Sequence, residues 1–280
     1  MIKRMVMTLA ALLMALASNG QETFDILEEN TLEHGDNWVW TDKRNNVFVS
    51  GYGSKCALGR VNFKGKHSLF ASMPDSAAVR GICADGNGGM LVATDSCDIF
   101  DLTKEGIVSL ARLSVVPCCL ARSMTGDIYV GATDGSVVKV KAGGDYETVA
   151  EHIGDIVGME VSPDGKRLYV SDSRTRRLIL FDIMPDGRLD NERVLLRFHD
   201  HGLGDVVCDK YGNIYIARPG KGRVVVATSA GVVLKEIATF GKEPVGLSVN
   251  FINTACVVSL RDRRNVECIV FADVFGESRY

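Results

Sequence analysis

A short apolar run, a turn carrying Gly, Asn or Asp, and a second apolar run recur six times along this chain. The copies read WVWTDKRNNVFVSG, GICADGNGGMLVATD, LARSMTGDIYVGATD, MEVSPDGKRLYVSDS, VVCDKYGNIYIARP and LSVNFINTACVVSL. Their anchors Val47, Met90, Ile128, Leu168, Ile214 and Cys256 stand roughly 40 residues apart, the spacing of one propeller blade. Each unit continues into a third run, such as GSVVKVKA or RRLILFDIM, and often a fourth, such as VLLRF or VLKEIATF. Turn residues separate the runs, and helical periodicity is absent beyond residue 20. Four short strands in each of six units predict an all-β, six-bladed β-propeller. Closing such a ring protects the edges that an open sheet would expose. A solenoid of the same units is the rival, and it would need capping repeats that are not seen. The last unit lacks an outer strand, and residues 23–27 (TFDIL) are expected to supply it and fasten the ring.

The segment before the repeats has a different character. Lys3 and Arg4 precede an uncharged apolar run from Met5 to Ala17, and small residues follow. This pattern predicts a secretory signal peptide over residues 1–20, with one propeller domain over 21–280. The apolar run is short of the roughly 20 residues that span a bilayer. An uncleaved amino-terminal anchor is the alternative. No Cys follows the run, so a lipoprotein anchor is not indicated. The expected product is exported, periplasmic or secreted, with no membrane attachment once the signal is removed.

The charge balance narrows the partners. Lys and Arg number 32 against 35 Asp and Glu, a net charge of −3, which argues against a broad nucleic-acid-binding surface. Eight cysteines in an exported chain invite disulfides. Cys83, Cys208 and Cys256, however, sit in apolar strand-like runs, where Cys behaves as a small buried hydrophobe. Cys118 and Cys119 are adjacent and should point to opposite faces of a strand. Mostly free thiols are expected, with one or two bridges as the alternative. Without a C-x-x-C pair, a zinc–cysteine site is not expected.

Two units carry a family likeness. The stretch VGMEVSPDGKRLYVSDSRTRRLILFDIMPDGRLDNERVL resembles a blade of the regucalcin/gluconolactonase/strictosidine-synthase-like propellers. GLGDVVCDKYGNIYIARPGKGRVVVATSAGVVLKEI resembles the next blade, and NWVWTDKRNNVFVSG is similar to the first. The resemblance implies one divalent cation, calcium or zinc, at the mouth of the central tunnel. Oxygen ligands at the starts of the innermost strands would hold it. Such an ion polarises an ester carbonyl and activates water, with an aspartate as general base.

Carried over position by position, the implied ring is Asp36, Arg80, Cys118, Val157, Gly204 and Val245. Asp36 stands where the family has a glutamate ligand. Arg80 would hold a carbonyl or carboxylate, and it could also pair with Asp36. Asp205 is the candidate base, one residue late and re-aimed only if a bulge turns it. His34, beside Asp36, is a candidate base or ligand. Loops after the second strands should open on the same face, carrying Tyr52, Asp95, Asp134, Asp172, Arg218 and Arg261. Of these, Tyr52, Asp172 and Arg218 are candidate contacts for a sugar lactone or sugar acid. The implied activity is hydrolysis of a lactone or related ester. A non-catalytic binding propeller using the same mouth is the alternative, and a metal-free lyase or hydrolase using His34 or a rim acid is a third. The Gly-rich DGNGG at 85–89 reads as a turn, and the basic clusters at 174–177 and 261–264 read as solvated loops.

Overall fold

A computed structural model describes residues 21–141, 143–250 and 252–271. The expected signal segment lies outside the described residues. Six four-stranded antiparallel sheets form the blades of a six-bladed β-propeller. The innermost strands, in blade order, are Val39–Thr41, Val79–Ala84, Pro117–Arg122, Ile156–Val161, Val206–Cys208 and Pro244–Val249. The second strands are Asn46–Ser50, Met90–Thr94, Ile128–Ala132, Arg167–Asp172, Ile214–Arg218 and Ala255–Leu260. No α-helix occurs among the described residues, and a single 3-10 turn spans Pro74–Ser76.

The sixth blade closes the ring as expected. Its outer strand is Glu22–Asp25, which pairs antiparallel with Asn265–Val270 in the register Thr23↔Ile269. Arg263 clamps this closure with hydrogen bonds of 3.0 Å to both carboxylate oxygens of Asp25. Arg264 donates to Asn30 Oδ1. The basic cluster at 261–264 is therefore a clamp on the amino-terminal segment rather than a solvated loop. The cluster at 174–177 is also tied down, through Arg174 to Asp155 and Arg177 to Asp172.

The core is divided among the blade junctions. Six apolar clusters each join the facing sides of two neighbouring blades. Successive residues of one strand serve different junctions. Ile214 and Ile216 pack toward blade 4, while Tyr215 and Ala217 pack toward blade 6. Both faces of each sheet are buried, so the second strands read as continuous apolar runs and not as alternation. The hairpins after the inner strands are held by Asp or Asn side chains. Asp42, Asp85, Asp209 and Asn250 each accept two backbone N–H bonds from the turn that follows.

Candidate functional site

The starts of the inner strands share one distortion. Register shifts fall between Val79 and Gly81, Pro117 and Cys119, Ile156 and Gly158, and Pro244 and Gly246. In each case one residue is left unpaired with the second strand: Arg80, Cys118, Val157 and Val245. Blade 5 does the same through Gly204 N–H to Ala217 O at 3.0 Å and Ala217 N–H to Asp205 O at 2.9 Å. Arg80, Cys118, Val157, Gly204 and Val245 are thus structurally equivalent. In blade 1 the equivalent residue is Asn37, and Asp36 precedes it by one: Trp38 N–H donates to Ser50 Oγ as Gly246 N–H does to Ser259 Oγ. Glycine after the bulge lets inner strands approach. A Cβ on Gly246 would lie 2.4 Å from the Asn37 carbonyl, and one on Gly158 would meet Asp205 at 2.6 Å.

The chemistry of this mouth is poor in oxygen. Arg80, Cys118, Val157 and Val245 offer one cation, one thiol and two apolar side chains. Asp36 does not pair with Arg80. Its Oδ1 accepts from Nε of Arg261 at 2.6 Å, and Arg261 also reaches Glu243 at 3.4 Å. Arg80 is exposed and makes no ion pair with a described residue. Its charge is felt by His34, whose pKa is lowered by burial and, secondarily, by Arg80, against the opposing pull of Asp36. Among the described residues no group of three or more His, Cys, Asp or Glu is arranged to hold a metal ion. A hard divalent cation needs about six or more oxygen neighbours. One carboxylate, already committed to an arginine, does not fit that requirement. Calcium, implied by resemblance, does not suit this mouth, and zinc, which takes about four N, O or S ligands, finds no group of three such donors among the described residues.

Two sequence-predicted rim contacts, Arg218 and Asp172, are wall fastenings. Arg218 is fully buried. Its guanidinium donates to the carbonyls of Gly202 (2.8 Å) and Asp200 (2.6 Å) and to Asp200 Oδ1 (2.8 Å), and it lies 3.8 Å from the Phe198 ring centre. Asp172 is also fully buried and accepts from the backbone of Asp155 and Arg174, from the Thr175 hydroxyl and from Arg177. Burial would raise its pKa, but the bonds from Thr175 and Arg177 hold it below the ordinary carboxylate range. Tyr52 turns outward, its hydroxyl 2.7 Å from His67 Nδ1. The same device recurs around the ring. Ser50, Asp95 and Ser259, near the ends of second strands, accept from Trp38, Ala78 and Gly246 N–H groups. Each ties its second strand to the start of the inner strand. Asp172 and Arg218 are thus committed to internal contacts and are poor candidates for ligand binding, while Tyr52 stays partly exposed beside His67.

Asp205, by contrast, does face the channel. Its backbone N–H donates to Val245 O at 2.9 Å, and its carboxylate accepts from Leu247 N–H at 3.0 Å and Val206 N–H at 2.9 Å. It clasps blades 5 and 6 while lining a cavity of about 300 Å³ on the propeller axis. Burial pushes its pKa up to about 7, against those amide bonds. The sequence reading missed its companion, Glu160, which borders the same cavity. Burial first, then the Asp205 charge, pushes Glu160 up to about 8. The signal was present: a carboxylate in the otherwise apolar inner-strand run Ile156–Val161. Trp38 packs against the clusters of blades 1–2 and of blades 3–4, so its indole reaches across the axis. Thr41 also lines the cavity, and its hydroxyl is buried without a hydrogen-bond partner. Arg122 and Met124 border the cavity at the far ends of the inner strands.

Comparison with known proteins agrees with this architecture. Residues 120–247 match the family model for the SMP-30/Gluconolactonase/LRE-like region. No curated protein sequence matches the chain. A gluconolactonase structure from Xanthomonas campestris is similar with a TM-score of 0.77 at 15% identity, covering 92% of each chain. Calcium-binding regucalcin from Agrobacterium tumefaciens gives 0.69 at 16%, covering 88% of this chain and 92% of that one. An auxiliary nutrient binding protein from Bacteroides ovatus gives 0.72 at 14%, covering 90% and 77%. At these identities structural likeness establishes fold, not chemistry. The neighbours share the six-bladed β-propeller fold, and residues 120–247 of this chain are similar to the SMP-30/Gluconolactonase/LRE-like region.

Proposed function

We propose that this protein is an exported binding propeller that holds a small sugar acid or its lactone at the channel mouth, without a divalent cation. The observation that carries this reading is the composition of the bulge ring. Where the family's chemistry would need oxygen ligands, the chain presents Arg80, Cys118, Val157 and Val245. An exposed guanidinium without an ion-pair partner suits a carboxylate, which it can engage through two parallel N–H bonds. Export rests on the positive and apolar segment at the amino terminus. The nutrient-binding neighbour is consistent with binding without turnover.

Calorimetric titration of the purified chain with gluconate and gluconolactone tests this. Arg80→Ala should weaken gluconate binding by roughly 10-fold or more, through loss of its charge-assisted hydrogen bonds. Millimolar calcium or zinc should leave the melting temperature unchanged, because a ligand that binds only the folded state would raise it. A metal-dependent rise together with metal-dependent turnover overturns the reading. A second reading is metal-free hydrolysis, favoured by the presence of Asp205 and Glu160 on one cavity. It requires lactone turnover in chelator that is lost in Glu160→Gln.

A further inference from the structure

We propose that Cys118 and Cys119 form a reversible dithiol–disulfide pair at the channel mouth, oxidised by a small disulfide such as glutathione disulfide. Neighbouring side chains on a regular strand point to opposite faces, and such thiols cannot meet. The bulge between Pro117 and Cys119 breaks that alternation. As a result the two Sγ atoms stand 4.0 Å apart. Cys118, the unpaired residue, is partly exposed, and Cys119 lies buried beneath it. Room for the inner thiol comes from the second strand of the same blade. A Cβ on Gly131 would lie 2.7 Å from Cys119 Sγ, so any larger residue would crowd it.

Bond formation needs a further approach of about 2 Å between the sulfurs. The Cα atoms of adjacent residues are held about 3.8 Å apart by a trans peptide, closer than disulfides usually span. A bond there is strained and readily reduced, which suits a switch and not a staple. The Cys118 thiolate attacks the small disulfide, forming a mixed disulfide and releasing one thiolate. The Cys119 thiolate then attacks Cys118 Sγ and expels the second. The two cysteines lose two protons to solvent and two electrons to the co-reactant, whose two expelled thiolates take up two protons from solvent and leave as thiols. Burial, and then Cys118, push the Cys119 thiol well above its ordinary range, so the second displacement is the slower and accelerates as pH rises. Trp38 packs against the cluster that holds both thiols, and the chain has only two tryptophans. Indole fluorescence therefore reports on the pair.

The test uses the full chain, reduced, incubated with glutathione disulfide, alkylated and digested with trypsin. Residues 113–122, LSVVPCCLAR, form one tryptic peptide holding both thiols and no other cysteine. The expected product is that peptide lighter by two hydrogen atoms, unalkylated, and restored by dithiothreitol. An accompanying, reversible change in tryptophan fluorescence should vanish in Cys118→Ser. A doubly alkylated peptide, one left carrying glutathione, or one cross-linked to another peptide overturns the proposal, as does a fluorescence change that persists in Cys118→Ser.

Discussion

The blade walls and the axial channel both bury acidic or basic side chains, and they handle the cost in opposite ways. In the walls, Arg218 is surrounded by acceptors, and Asp172 by donors that hold its carboxyl below the ordinary range. In the channel, Asp205 and Glu160 receive too little compensation, and burial favours their protonated forms near neutrality. A wall charge thus fastens strands and is insensitive to ordinary pH. A channel charge appears only as pH rises and is available for chemistry or for a ligand.

The largest effect should come from breaking a wall fastening. Asp172→Ala leaves three backbone N–H groups and Arg177 without their acceptor. It should cost roughly 3–5 kcal/mol in denaturant unfolding, as for a broken buried pair. A loss below about 1 kcal/mol would put Asp172 with the solvated rim and erase the contrast. Arg218→Ala should fall in the same range or slightly below, because its partner Asp200 is half exposed.

A smaller, pH-dependent effect should sharpen the comparison. The folded-state pKa values of Asp205 and Glu160, about 7 and about 8, lie above the ordinary carboxylate values of about 4. The folded state therefore binds more protons than the unfolded state between those limits. Unfolding free energy should fall as pH rises from about 4 to about 8. Glu267, pushed by burial to about 7 in blade 6, acts in the same direction. Asp205→Asn combined with Glu160→Gln should flatten the slope of melting temperature against pH over this window, leaving the remainder to Glu267. An unchanged slope would mean that the channel carboxyls stay ionised. The smallest effect belongs to the solvated pair at the mouth. Arg261→Ala releases Asp36, which is 71% exposed, and should change stability by less than about 1 kcal/mol in calorimetric melts.

The architecture was legible because it rests on composition rules that act locally. Each hairpin announces itself by an Asp, Asn or Ser at a fixed offset between two apolar runs, and the missing sixth outer strand pointed back to TFDIL. The bulge positions Arg80, Cys118, Val157, Gly204 and Val245 follow from aligning the inner strands of the repeats, while in blade 1 that alignment falls on Asp36, one residue before the equivalent Asn37. The inward direction of Asp172 and Arg218 was not legible in the sequence. A charged residue at a loop looks the same in sequence whether it faces solvent or the protein. Arg218 and Asp172 turned inward because the loops around Gly202 and Asp155, 16 and 17 residues away along the chain, offered partners. Asp36 met Arg261, more than two hundred residues later, a pairing that only the closed ring creates. Glu160 was passed over as one polar letter in an inner strand, and its meaning emerged only with Asp205 across the same cavity.

The amino-terminal strand has a kinetic consequence. Glu22–Asp25 finds its partner in Asn265–Val270, more than two hundred residues later in the chain. Until the two pair, blades 1 and 6 each lack a neighbour, and the third strand of blade 6 shows a bare hydrogen-bonding edge. Contacts this remote in sequence slow folding, because a very long loop must be closed before it is rewarded. A chain cut short before Asn265 would keep most of its hairpins yet carry unsealed apolar faces. Its fate would be self-association, and the nascent chain would depend on a holding chaperone until the ring is shut.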